Sequence, residues 1–196
     1  MIRAQKLERI KRHTDDSILL RRTLVTELSE EILNTSDLIA GVIGSGGKLM
    51  IAGNGEQASL ASNFATELLI RFGTERARQP LPAIALSADT SVVTAASTDF
   101  GVKEMFARQI EGLAHKNDML VLLSSNGEEV NLIRAAQVAR ERGIITLAMI
   151  GNGGGKLRFG VERPMLIPHP SRQRVIEEQT FLVHLLIDLI ESDLVT

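Results

Sequence analysis

Five apolar runs bounded by turn-forming residues recur along the chain, at 48–52, 83–87, 119–124, 144–150 and 165–168. Each is nearly continuous in aliphatic residues rather than alternating, the pattern of a strand covered on both faces. Between them lie segments with helical spacing, at 58–72, 90–97, 103–114 and 128–142. Strand and helix alternating in this order predict right-handed crossovers and an α/β fold built on a parallel, doubly wound sheet of about five strands.

The two ends carry helices without strands. Residues 4–43 read as helical hairpin material, with an apolar stripe of Ile18, Leu24, Val25, Leu28, Ile32 and Leu33. Asn34-Thr35-Ser36 interrupts it, and Ser36 is placed to cap a second short helix running to Ile43. Residues 174–194 predict a long closing helix. An N-terminal arm over 1–43 and a largely apolar last helix expose more stripe than one sheet covers, so a homo-oligomer is expected. Extra helical layering within a monomer is the alternative.

Composition narrows the function. The 196 residues, 44% hydrophobic, suit one domain over 1–196. Lys and Arg number 22 against 24 Asp and Glu, so no broad positive field draws the chain to nucleic acid. The absence of cysteine removes disulfides, thiolate metal sites and thiol nucleophiles. The first residues break into charge before any apolar run of signal-peptide length, and no stretch is long enough to span a bilayer, which makes cytoplasm the default. With neither Trp nor Tyr, the chain also lacks stacking platforms for bases or sugars.

In an open parallel sheet, ligands bind beyond the carboxyl ends of the strands. Gly53-Asn54-Gly55 follows the first strand, and Ser124-Ser125-Asn126-Gly127 follows the third. Hydroxyls and free N–H groups at a helix start suit phosphate, although the same residues make ordinary caps and turns. The glycines at 151–155, followed by Lys156, fail the P-loop spacing, and Leu157 stands where a magnesium ligand is needed. That segment reads as a mobile turn. Ala58 likewise breaks the dinucleotide-binding pattern.

Taken together, GNG, ATELLIRF, PAIALSADTS, TAASTDFG, the S-S-N-G turn, GGGK and EEQTFLVHLLIDLIE make a sequence that resembles the sugar isomerase (SIS) domain. Within that family it is most similar to bacterial phosphoheptose isomerases, with DnaA initiator-associating SIS proteins as close cousins. The resemblance implies a three-layer αβα sandwich, usually a homotetramer with active sites between subunits. It implies aldose–ketose isomerisation of sedoheptulose 7-phosphate, which supplies lipopolysaccharide heptose precursors. It places the catalytic pair on Glu67 and His184, and substrate contacts on Asn54, Gly55, Gln57, Arg71, Asp99, Ser124, Ser125, Asn126 and Glu129.

Several of these positions depart from the family pattern. Gln57 replaces a serine and follows Glu56 instead of glycine, while Asn126 and Glu129 replace two serines of the other loop. Of four zinc-binding positions only Glu67 and His184 remain, since Asn63 and Ile176 occupy the others, and Gln173 replaces a substrate-contacting aspartate. Two ligands make a tight zinc site an unfavourable expectation. Read without the family, Glu67 belongs to a surface stripe with Ser59, Asn63 and Arg71 and forms an ion pair with Arg71. His184 belongs to a polar stripe with Glu177, Thr180, Asp188 and Glu191.

The acidic residues create a conflict at the phosphate site. Glu128 and Glu129 fall in the first helical turn, where they suit the helix dipole and compete with a bound phosphate. A carboxylate ~5 Å from a phosphate costs on the order of 3 kcal/mol at an effective dielectric of ~20, about a hundredfold in affinity. Glu56 adds to this unless these side chains point away. The leading expectation is a phosphoheptose-isomerase-like enzyme working without tightly bound zinc. The others are a non-catalytic SIS protein that binds a sugar phosphate or a protein partner such as the initiator, and an isomerase for a different, less anionic sugar.

Overall fold

The computed structural model describes residues 2–73 and 78–194. Its sheet has five parallel strands, β1 Leu49–Gly53, β2 Ala83–Ala85, β3 Met119–Ser124, β4 Ile145–Gly151 and β5 Arg163–Ile167, in the order β2-β1-β3-β4-β5. β1 and β3 are buried throughout, as their unbroken apolar runs require.

Alternate strand residues feed two cores. Leu49, Ile51, Val121, Leu123, Leu147 and Met149 pack with α1 Arg3–Gly44, α2 Glu56–Leu69 and α6 Arg172–Leu194. Met50, Ala52, Leu120, Leu122, Ala148 and Ile150 pack with α4 Met105–Leu113 and α5 Val130–Glu141, against which α3 Thr90–Phe100 is laid through Val93 and Ala96. The result is the expected three-layer αβα sandwich.

The N-terminal region departs from the hairpin expectation. α1 is one helix of 42 residues, about 63 Å at 1.5 Å per residue. Asn34-Thr35-Ser36 does not break it. Thr35 and Ser36 are buried, and the Ser36 hydroxyl donates to Leu33 O inside the helix instead of capping a new one. Packing of Ile32, Ile39 and Val42 on the core overrides the weak local preference for a cap. Residues 2–16 are exposed, so the first third of α1 projects as an arm.

The segment after β4 is also more tightly packed than a free turn. Gly154 and Leu157 are buried, and Leu157 N–H donates to Gly127 O. Gly127 has φ +74°, and a side chain there would meet Gly154 O at 1.9 Å. Two glycine turns thus brace one another at the carboxyl edge of the sheet. Among the described residues no helix is long and apolar enough to cross a membrane.

Candidate active site

The strand order reverses direction between β1 and β3, so the loops that follow them diverge to opposite faces and leave a crevice. A cavity of about 410 Å³ opens there, lined by Asn54, Gly55 and Gln57 from one loop and Ser125, Asn126 and Glu129 from the other. Six of the residues expected to contact substrate are thereby brought together. Asn152, Pro170 and Arg172 complete the lining and were not foreseen, because they approach from distant parts of the chain.

The cavity walls are held by buried amides. Gln57 is 2% exposed, and its Nε2 donates to Gln179 Oε1 at 3.1 Å. Gln179 Nε2 in turn donates to Ser124 O and Met149 O, both at 2.9 Å, tying α6 to the ends of β3 and β4. Asn54 and Asn131 exchange side-chain amide bonds at 2.9 Å in each direction and so join the loop after β1 to the start of α5.

Ser124, expected to bind substrate, is fully buried. Its hydroxyl donates to Glu129 Oε2 and accepts from Asn126 N and Gly127 N. Asn126 Oδ1 accepts from Glu128 N. Three amides in the loop are therefore satisfied from within it. The neighbouring carboxylates diverge: Glu129 lines the cavity, whereas Glu128 points outward to Lys156 Nζ at 2.9 Å. The Lys156 hydrogen bond and charge hold the Glu128 carboxyl below its ordinary value. Glu56 pairs with Arg172 at 3.1 Å.

Glu67 and His184 meet between α2 and α6. Glu67 Oε1 lies 3.6 Å from His184 Nε2 and accepts a 3.0 Å hydrogen bond from Asn63 Nδ2. Glu67 Oε2 is buried and has no hydrogen-bond partner. The imidazole packs against the Phe72 ring, 5.5 Å between centroids. The expected Glu67–Arg71 pair is not formed, because α2 ends at Leu69 and Arg71 lies beyond the helix, where i,i+4 geometry no longer holds.

Below the pair, Arg78 closes the end of α2. It donates to Glu67 O at 2.6 Å and Leu68 O at 2.8 Å, and pairs with Glu191 at 2.6 Å. Glu191, expected on a polar stripe, is 4% exposed and also accepts from Phe72 N.

The donors here do not fit a four-coordinate zinc. Glu67 and His184 supply two ligands, Asn63 turns its amide nitrogen toward Glu67, and Ile176 has no donor atom. Among the described residues no three His, Cys, Asp or Glu are grouped to hold a metal. Arg71 and Asp99 are exposed and stand outside the loop cavity, with Asp99 on a groove beside Ile84, Val92 and Phe100.

This fold has counterparts. The SIS domain family model matches residues 13–151. A phosphoheptose isomerase of Trichlorobacter lovleyi is 36% identical over 185 residues, which is 94% of this chain and 93% of that one. Another, of Geotalea daltonii, is 37% identical over 188 residues, 96% and 97% of the two chains. The structure of phosphoheptose isomerase from Neisseria gonorrhoeae superposes with a TM-score of 0.87 at 30% identity, covering 95% of this chain and 98% of that one. By family match and by relatives along nearly its whole length, the chain belongs to the SIS domain family.

Proposed function

We propose that this protein is a phosphoheptose-isomerase-like enzyme, interconverting sedoheptulose 7-phosphate and the corresponding aldose phosphate. The observation that carries this reading is the Glu67–His184 pair, with one Glu67 oxygen buried and unpaired. A carboxylate with a free lone pair can take the proton from the carbon beside the carbonyl, giving an enediol, and return it to the neighbouring carbon. His184 supplies the proton to the carbonyl oxygen and recovers the one leaving the adjacent hydroxyl, so one molecule of ketose yields one of aldose. These steps use only side chains of the protein itself.

Eleven residues of α2 separate Glu56, at the loop cavity, from Glu67, about 16 Å along the helix. The reading includes a homotetramer in which the whole chain acts as one SIS domain, the 1–43 arm makes subunit contacts, and Arg71 and Asp99 reach a site completed by another copy. It places the enzyme in the cytoplasm, supplying heptose for lipopolysaccharide. Purified protein is incubated with sedoheptulose 7-phosphate with and without zinc. Aldose phosphate forming in both supports the reading, and none in either overturns it. A second reading, a less anionic sugar, is favoured by the Glu129 carboxylate in the cavity.

A further inference from the structure

α2, α5 and α6 all begin at the loop cavity, at Glu56, Val130 and Arg172. Their amino ends make the region electropositive before any side chain is counted. Glu56 in the first turn of α2 and Glu129 at the cap of α5 suit that field. Arg172 does not, because a cation in the first turn of a helix opposes the dipole. It is nevertheless the one cationic side chain lining the cavity among the described residues.

Its position is defined. The Arg172 guanidinium crosses from α6 to the β1 loop, where a side chain on Gly55 would meet Nη2 at 3.3 Å, and Nη2 lies 3.1 Å from Glu56 Oε2. Glu56 and Arg172 are 64% and 53% exposed, so the pair is weak and its carboxylate can swing to solvent. Glu129 is fixed by the Ser124 hydroxyl, and the amides of Asn126, Gly127 and Glu128 are already bonded within their loop. An anion entering the cavity thus finds few free backbone donors and one displaceable cation.

We propose that Arg172 is the phosphate anchor of this protein, and that Glu56 is its resident counter-ion, exchanged for the substrate phosphate on binding. This rests on the sugar phosphate reading above and adds to it a residue that determines affinity. Exchange replaces a monodentate carboxylate contact with a dianion on a planar guanidinium, the geometry arginine holds best. The Glu56 carboxylate competes with every phosphate that binds.

The test is phosphorus NMR or calorimetric titration of the full chain with inorganic phosphate at fixed ionic strength, for wild type, Arg172→Gln, Arg172→Lys and Glu56→Gln. Both side chains are exposed, so each variant is expected to fold, and circular dichroism checks this. Arg172→Gln should weaken phosphate binding about tenfold or more, Arg172→Lys less, and Glu56→Gln should tighten it about tenfold. Phosphate affinity indifferent to either position, or no binding even in Glu56→Gln, overturns the proposal. Phosphate binding that follows both substitutions without any turnover overturns the isomerase reading instead, and turnover with phosphate indifferent to Arg172 overturns only the anchor.

Discussion

The two ends of α2 are built on different principles. At its start, glycine turns and exposed charges surround an open cavity, and the Glu56–Arg172 ion pair there is displaceable. At its end, Glu67 and His184 are set in packed helices and braced by the buried Arg78–Glu191 pair. The first end is made to exchange partners, the second to keep a geometry. Substitutions at the two ends should therefore separate into effects on affinity and effects on turnover or stability.

The sharpest contrast comes from Glu67→Gln. Removing the base should lower kcat about a thousandfold with KM nearly unchanged, measured with sedoheptulose 7-phosphate at saturating substrate. Arg172→Gln should do the reverse, raising KM and sparing kcat. A Glu67→Gln enzyme that retains kcat would erase the distinction between the two ends.

Arg78→Ala tests whether the far end is as rigid as its contacts suggest. It leaves Glu191 buried without its cation and removes the caps on Glu67 O and Leu68 O. Loss of one partner of a buried pair costs about 3–5 kcal/mol, which should appear as a lowered urea midpoint. An unchanged midpoint would mean that the brace holds nothing.

The same contrast decided what was legible in the sequence. β1 and β3 could be read because burial on both faces leaves an unbroken apolar run, and the two loops followed from their place after those strands. The α1 hairpin was misread because Ser36 bonds within the helix as readily as it caps one. Glu67 looked like half of a surface pair because its spacing to Arg71 is right only if the helix continues, and it stops two residues short. Arg172 lines the cavity, and Asn131 and Gln179 hold its walls, through contacts with residues distant in sequence, 30 to 122 positions away for Gln179, so no local pattern announces them. Glu128 and Glu129 were indistinguishable as neighbours, and only the Lys156 and Ser124 contacts separate them.

Gly127→Ala probes the cavity end by geometry rather than charge. Its φ of +74° and the 1.9 Å approach to Gly154 O leave no room for a methyl group. A residue held in that strained region costs about 1–3 kcal/mol, and the displaced loop should weaken phosphate binding as well. Thermal unfolding together with phosphate titration checks both. A stable variant with normal phosphate affinity would show that the two glycine turns are not a single brace.

The smallest effect is expected at the opposite edge of the same strands, where Asp118 ties β1 to β3. It accepts from Lys48 N at 2.9 Å and His115 N at 2.7 Å, and pairs with the Lys48 ammonium. Burial opposes its ionisation, but the hydrogen bonds from Lys48 and His115 and the Lys48 charge outweigh this and hold the carboxyl below its ordinary 3.8. A carboxyl lowered in the folded state adds stability that is fully present above that ordinary value. The stability is lost as pH falls below 3.8 through the folded value. Urea midpoints at pH 7 and pH 3 should therefore differ less for Asp118→Asn than for wild type. The pH 7 turnover of folded Asp118→Asn should stay unchanged, because this edge anchors the strands whose other ends carry the cavity.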